Sequence, residues 1–141
     1  MTLYLDTSLL VAALTREADT ERMQAWLSAQ EPEMLAISEW VTTEFSSALS
    51  IKLRTGQIQA SHRADALAMF QRLIAESFTV LPVSGLQFRT AARFADRSTL
   101  GLRAGDALHL AICADHGATL CTLDRRLREA GPELGVKTTL P

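Results

Sequence analysis

The chain is poor in the residues that staple or break a fold: 141 positions hold two cysteines, four prolines and seven glycines. Cys113 and Cys121 form no Cys-x-x-Cys pair and no ligand-like spacing, which argues against a zinc site and a disulfide framework. They read as small buried thiols in a reducing compartment. No apolar run approaches the ~20 residues that span a bilayer. The amino terminus, Met1-Thr2-Leu3-Tyr4-Leu5-Asp6, carries no basic region ahead of a long apolar stretch. No signal peptide is expected there, and a cytoplasmic location follows as an expectation. Excess charge is missing too: 14 basic and 16 acidic residues leave a formal net charge of −2. That argues against a simple electrostatic nucleic-acid binder, although four acids gathered at one metal site would leave 12 against the 14 bases. Twelve of those bases are arginines, which suits phosphate recognition and equally suits arginine-biased codon usage.

What is present is an ordinary globular composition, 48% hydrophobic and 21% charged, enough for one proper core. No repeat, low-complexity run or linker interrupts it, so residues 1–141 are read as a single domain. Leu3–Asp6 is a short apolar run ending in an acid, a first strand. Ser8–Leu14 looks helical, and Asp19–Ala29 is an amphipathic helix with Met23, Trp26 and Leu27 on one side. After Pro32, Met34–Ile37 is a second strand. Ser38 is placed as the N-cap of a helix running to about Arg54, ended by Gly56. Ser61–Ala75 is another helix, with Ala64, Leu67, Ala68 and Leu73 among its apolar positions. Phe78–Val83 is a third strand, and Ser84 caps a helix over Leu86–Arg97. Ala104–Asp115 is apolar almost all round, which predicts a helix buried in the middle of the domain, ended by Gly117. Ala118–Leu123 is a fourth strand, Arg125–Ala130 a short helix and Val136–Thr138 a further edge strand.

Short strands alternating with helices predict an α/β fold with a parallel sheet covered on both faces. Sites in such folds lie beyond the carboxyl ends of the strands, which directs attention to Asp6 and Asp124. Thr122 shares a strand face with Asp124. Asp106 opens the apolar central helix, and Glu44 interrupts the apolar stripe formed by Val41, Phe45 and Ala48. Singly, each acid has an ordinary explanation: a solvated strand end, a favourable helix N-terminus, or an arginine partner for Glu44. Together they would repel one another in a partly buried site and raise each other's pKa. A counter-ion resolves this, and hard divalent cations such as Mg²⁺ or Mn²⁺ prefer oxygen ligands and retain waters. Such an ion can activate water and neutralise charge developing on a phosphate, so the arrangement suits phosphodiester hydrolysis without a side-chain nucleophile.

Four blocks carry a family resemblance: Asp6-Thr7-Ser8 after the first strand, Thr43-Glu44 on the third helix, Ala104-Gly105-Asp106-Ala107-Leu108-His109-Leu110-Ala111, and Thr122-Leu123-Asp124-Arg125-Arg126. In order and spacing they resemble the signature blocks of PIN domains, and the whole chain resembles the VapC-type toxins of toxin–antitoxin modules. The first block is a common tripeptide; the third and fourth at this separation are specific. The resemblance implies a three-layer α/β/α sandwich around a mostly parallel sheet of four to five short strands. It also implies a metal-dependent endoribonuclease in which Asp6, Glu44, Asp106 and Asp124 hold one or two Mg²⁺ or Mn²⁺ ions, with Thr122 and Ser8 positioning ligands or water. The implied partners are an RNA substrate, a second copy of the chain, and an antitoxin whose C-terminal segment covers the acidic groove.

Other polar residues have two readings each. His109, one turn from Asp106, is either a satisfied core histidine or a group acting on a proton or phosphate. His62 and His116 read as surface or helix-end residues. Arg89, Arg93 and Arg97 share a helix face, either solvated or gripping phosphates. Arg125, Arg126 and Arg128, beside Asp124, have the better claim to a phosphate. Met23, Trp26, Leu27 and Trp40 read as core or dimer contacts rather than base-stacking platforms. A signalling receiver domain would need an acidic pair at the first strand and an Asp after a middle strand. A haloacid-dehalogenase-type phosphatase would need Asp-x-Asp where position 8 is Ser. Both are disfavoured. A PIN-like binding module that does not cut, and a free-standing RNA-processing nuclease, stay open as alternatives.

Overall fold

Leu3-Tyr4-Leu5 is apolar at three successive positions, the pattern of a strand buried on both faces. It forms β1 (Leu3–Leu5), with all three residues buried. The computed structural model describes every residue, Met1–Pro141. From β1 the chain passes through α1 (Thr7–Leu14), α2 (Thr20–Ser28), β2 (Leu35–Ser38), α3 (Glu39–Arg54), α4 (Ala60–Glu76), β3 (Thr79–Leu81) and α5 (Gly85–Ala95). It closes with α6 (Ala104–His116), β4 (Thr119–Cys121), α7 (Arg125–Glu133) and β5 (Thr138–Thr139). Single turns of 3₁₀ helix at Pro32–Met34 and Ser98–Leu100 lead towards β2 and α6.

The five strands lie in the order β3-β2-β1-β4-β5, and every pairing is parallel. Leu3 is in register with Leu35 of β2 and with Thr119 of β4. Helices cover the sheet in a three-layer α/β/α sandwich. From β1 the chain steps outward to β2 and β3, then returns across the sheet to β4 and β5. The connections therefore reverse between β1 and β4, and that reversal opens a crevice at the strands' carboxyl ends.

α6 explains why the domain has one core. Every residue from Ala107 to Cys113 is buried, as the apolar composition of the segment requires. Gly117 ends the helix at φ +61°, a conformation that L side chains resist. Phe45 of α3 stacks on Phe70 of α4 with ring centroids 4.2 Å apart, and Met23 of α2 is fully buried. Both cysteines are buried and unpaired; burial pushes the Cys121 thiol up to about 12, which leaves it inert. No helix is long and apolar enough to cross a membrane.

Four sequence expectations shift. In α4 the buried positions are Ala66 and Phe70, while Ala64 and Ala68 face solvent; alanine is too small to mark the core face when a phenylalanine competes for it. β3 is shorter than Phe78–Val83. α7 continues past Ala130 to Glu133 with Pro132 in its last turn. β5 starts later than Val136, because the Val136 amide is spent on Gly131 O at the end of that helix (2.9 Å).

Candidate metal and phosphate site

Asp6 follows β1 directly and caps α1. Its Oδ1 accepts hydrogen bonds from Ser8 Oγ (2.7 Å) and from the Leu9 amide (3.2 Å). Its Oδ2 accepts the Thr122 hydroxyl, and its own amide donates to Cys121 O (3.2 Å). Ser8 Oγ in turn accepts the Leu123 amide (3.2 Å), and Thr122 Oγ1 accepts the Asp124 amide (2.9 Å). A closed web of hydroxyls and amides thus ties the end of β1 to the end of β4. Asp6 is only 3% exposed. Burial raises its carboxyl above the ordinary range, against the opposing pull of His109, Thr122 and Ser8.

Glu44 reaches in from α3. Its Oε1 accepts the Thr7 hydroxyl (2.7 Å) and lies 2.5 Å from His109 Nε2. The other imidazole nitrogen, Nδ1, is 2.8 Å from the Tyr4 hydroxyl, which is 2.7 Å from Ser38 Oγ. Glu44 therefore pairs with a histidine rather than with an arginine. Burial opposes its charge, but the His109 hydrogen bond and charge, with Thr7 and Trp40, outweigh burial and hold the carboxyl below its ordinary range. The Trp40 indole N–H is buried beside this carboxylate, too loosely placed for a formed hydrogen bond. Gly105 makes room for both: a Cβ there would lie 2.8 Å from Glu44 Oε2 and 3.3 Å from Trp40 Nε1.

Asp106 and Asp124 occupy a different setting. Both line one open cleft of about 510 Å³, with Arg103, Arg125, Arg126 and Glu129 around them. Asp106 closes the first turn of α6 by accepting the Arg103 amide (3.2 Å). Burial raises its carboxyl, and the nearby charges of Asp124 and Glu44 push the same way. Asp124 is exposed and caps α7 through the Leu127 amide (3.1 Å). Arg125 pairs with Glu129 (2.9 Å), and Arg126 donates to Gly101 O (3.2 Å).

The six sequence-selected residues thus divide. Asp106 and Asp124 share the cleft; Asp6, Ser8 and Thr122 form the web; Glu44 lies against Gly105, the residue before Asp106. No three of the chain's His, Cys, Asp and Glu side chains are grouped tightly enough to hold an ion unaided. The donor chemistry still fits a hard divalent cation. Mg²⁺ is commonly held by one or two carboxylates, with water and substrate phosphate completing its shell. Two mutually repelling carboxylates at an open cleft answer that description.

His109 is buried with both nitrogens bonded, the satisfied core histidine, yet its partner is one of the selected acids. Sequence reasoning missed Tyr4, Thr7, Gly105 and Arg103. Only Arg103 carried a usable signal, as a cation three residues before Asp106. Arg89, Arg93 and Arg97 are exposed and line no part of the cleft. Arg93 bonds Thr90, and Arg97 bonds Glu133 O. Arg128 also lies outside the cleft.

The sequence model of the PIN domain matches residues 3–132. None of the curated proteins matches the chain in sequence. Among solved structures, FitAcB from Neisseria gonorrhoeae is similar over 97% of this chain and 96% of its own, at 19% identity and a TM-score of 0.73. The sarcin-ricin-loop-cleaving toxin VapC20 of Mycobacterium tuberculosis covers 92% of this chain and 95% of its own, at 17% identity and a TM-score of 0.75. DNA-bound VapBC from Salmonella typhimurium covers 99% and 97%, at 15% identity and a TM-score of 0.71.

Proposed function

The chain belongs to the PIN-domain family, and from that premise we propose that it is a metal-dependent endoribonuclease serving as the toxin of a toxin–antitoxin pair. The observation that carries this reading is the cleft in which Asp106 and Asp124 face the same space under a rim of Arg103, Arg125 and Arg126. Paired carboxylates repel an anionic substrate unless a cation stands between them, and guanidiniums at the rim recognise phosphate oxygens.

Asp106 and Asp124 would hold the ion, with Glu44, whose Oε2 points to the Gly105 seat beside Asp106, and Asp6 as the further carboxylates of the set. Bound there, Mg²⁺ or Mn²⁺ supplies an activated water and neutralises charge on the scissile phosphate. The rim arginines hold the flanking phosphates. Asp6, Thr122 and Ser8 keep the ends of β1 and β4 together, so that the Asp124 backbone stays in place relative to α6. A fold similar to VapC20 and to VapBC supports RNA as substrate and an antitoxin as partner, its C-terminal segment covering the groove. The same reading places the protein in the cytoplasm and makes it a homodimer. Leu86 and Phe88, 54% and 55% exposed on α5, are available for that contact.

The test is cleavage of total cellular RNA with Mg²⁺ or Mn²⁺ against chelator, for the wild type, Asp106→Asn and Asp124→Asn. Discrete fragments with 5′-phosphate and 3′-hydroxyl ends, requiring both metal and carboxylates, are expected. Fragments with 2′,3′-cyclic phosphate ends that persist in chelator would overturn the reading. Folded, metal-binding protein that cuts nothing would turn it towards a binding module.

A further inference from the structure

One buried polar chain leads to Glu44 through residues that the cleft chemistry above does not use. It runs from Ser38 at the end of β2, through Tyr4 of β1 and His109 of α6, to Glu44 of α3, with steps of 2.7, 2.8 and 2.5 Å. Ser38, Tyr4 and His109 are all buried, and uncompensated polar atoms at such depth cost stability. Every step has a partner, and the partners come from four separate elements.

The proton positions follow from the end groups. The closest contact is between Nε2 and a carboxylate oxygen, so Nε2 carries hydrogen and donates to Glu44 Oε1. The Tyr4 phenol stays neutral, since burial raises it well above its ordinary value. Its hydroxyl meets Nδ1 on one side and Ser38 Oγ on the other, so both imidazole nitrogens have a partner. Oε1 also accepts the Thr7 hydroxyl. One oxygen of Glu44 is therefore held by two donors, and the other, Oε2, is directed to the Gly105 seat at the start of the helix that carries Asp106.

We infer that Tyr4 and His109 are positioning residues for Glu44: the Ser38–Tyr4–His109 chain fixes the imidazole so that Nε2 pins Oε1 and leaves Oε2 beside Gly105 and Asp106. This rests on the metal-site reading above. Outer hydrogen bonds of this kind orient metal-binding side chains, and their loss typically weakens metal affinity by roughly 10–100-fold. A histidine that merely filled the core would be replaceable by an apolar residue with no effect on a cation at the cleft.

The experiment measures Mn²⁺ affinity by electron paramagnetic resonance on the wild type, His109→Leu, His109→Gln and Tyr4→Phe, with thermal unfolding to establish that each is folded. His109→Leu should weaken Mn²⁺ binding by about tenfold or more. His109→Gln keeps a donor for Oε1 and should recover most of the loss, and Tyr4→Phe should fall between. Imidazole nitrogen NMR on metal-free protein adds a readout independent of binding. The wild type should show an exchange-protected Nε2–H that Glu44→Ala removes. Tyr4→Phe deletes a single oxygen, so it and the NMR signal decide the matter if His109→Leu does not fold. Wild-type affinity in folded His109→Leu or in Tyr4→Phe, or an Nε2 without hydrogen, would overturn the inference while the metal site stood. A wild type that binds no Mn²⁺ would overturn the metal site, and the inference with it.

Discussion

The selected carboxylates fall into two environments that a motif cannot tell apart. At the junction of β1 and β4, Asp6 has both oxygens occupied by Ser8, Leu9 and Thr122 and is sealed from water. Along the cleft, Asp106 and Asp124 each satisfy one backbone amide and otherwise face open space under arginines. The first environment surrounds a buried carboxyl with donors. The second leaves charge without a counterpart. The difference teaches that identical residues in one signature can sit in unlike surroundings, one sealed among hydrogen-bond donors and the others open to a cleft.

The comparison breaks most severely at Asp6. Asp6→Ala strands two hydroxyls and an amide, and unmade hydrogen bonds of buried groups cost about 1–3 kcal/mol each. The urea midpoint should collapse, or soluble protein should be lost; near-wild-type stability would show that the web is dispensable. Gly105→Ala is next. Its Cβ would meet Glu44 Oε2 at 2.8 Å, and that carboxylate has little freedom because Thr7 and His109 hold its other oxygen. Forcing a methyl into a filled space costs about 1–3 kcal/mol, so unfolding should come earlier and Mn²⁺ affinity should drop. Unchanged values for both would mean that Glu44 moves aside freely.

Asp106→Asn and Asp124→Asn sharpen the contrast from the other side. Asparagine caps a helix about as well as aspartate, and removing either charge relieves repulsion. Stability should stay within about 0.5 kcal/mol of the wild type, while metal-dependent cleavage falls by two orders of magnitude or more. The smallest effect is in pH. The Asp106 carboxyl is raised in the folded state, so the native protein takes up its proton more readily than the unfolded chain does. Its charge costs stability at neutral pH, and that cost disappears as pH falls through the folded value. In metal-free protein, the stability of the wild type minus that of Asp106→Asn should therefore rise from pH 7 towards pH 4. A difference that is flat in urea titrations would show that Asp106 feels no net repulsion.

Much of this was legible in the chain. Alternating apolar runs gave strands and helices in the right order, and the all-round apolar character of Ala107–Cys113 located the central helix. The four acids stand out because each opens, breaks or ends an apolar segment. What escaped were relations that exist only once the chain is folded. Tyr4 and His109 lie 105 positions apart, and neither has a local pattern that names the other. Ser38 precedes α3 as a helix cap should, but its hydroxyl turns to Tyr4 rather than to the helix amides. Gly105 looked like a motif letter; its role is visible only when the space above it is known.

The hydrogen-bonded chain from Ser38 to Glu44 has one more consequence. It crosses β2, β1, α6 and α3, so the ground on which the site stands is also the centre of the sheet. Amides of β1 and β4 should exchange with solvent only through global opening, and the carboxyl end of β1 cannot serve as a hinge. Motion at this end of the sheet should therefore be found in the exposed side chains around the cleft, Arg103, Arg125 and Arg126, before the strand ends.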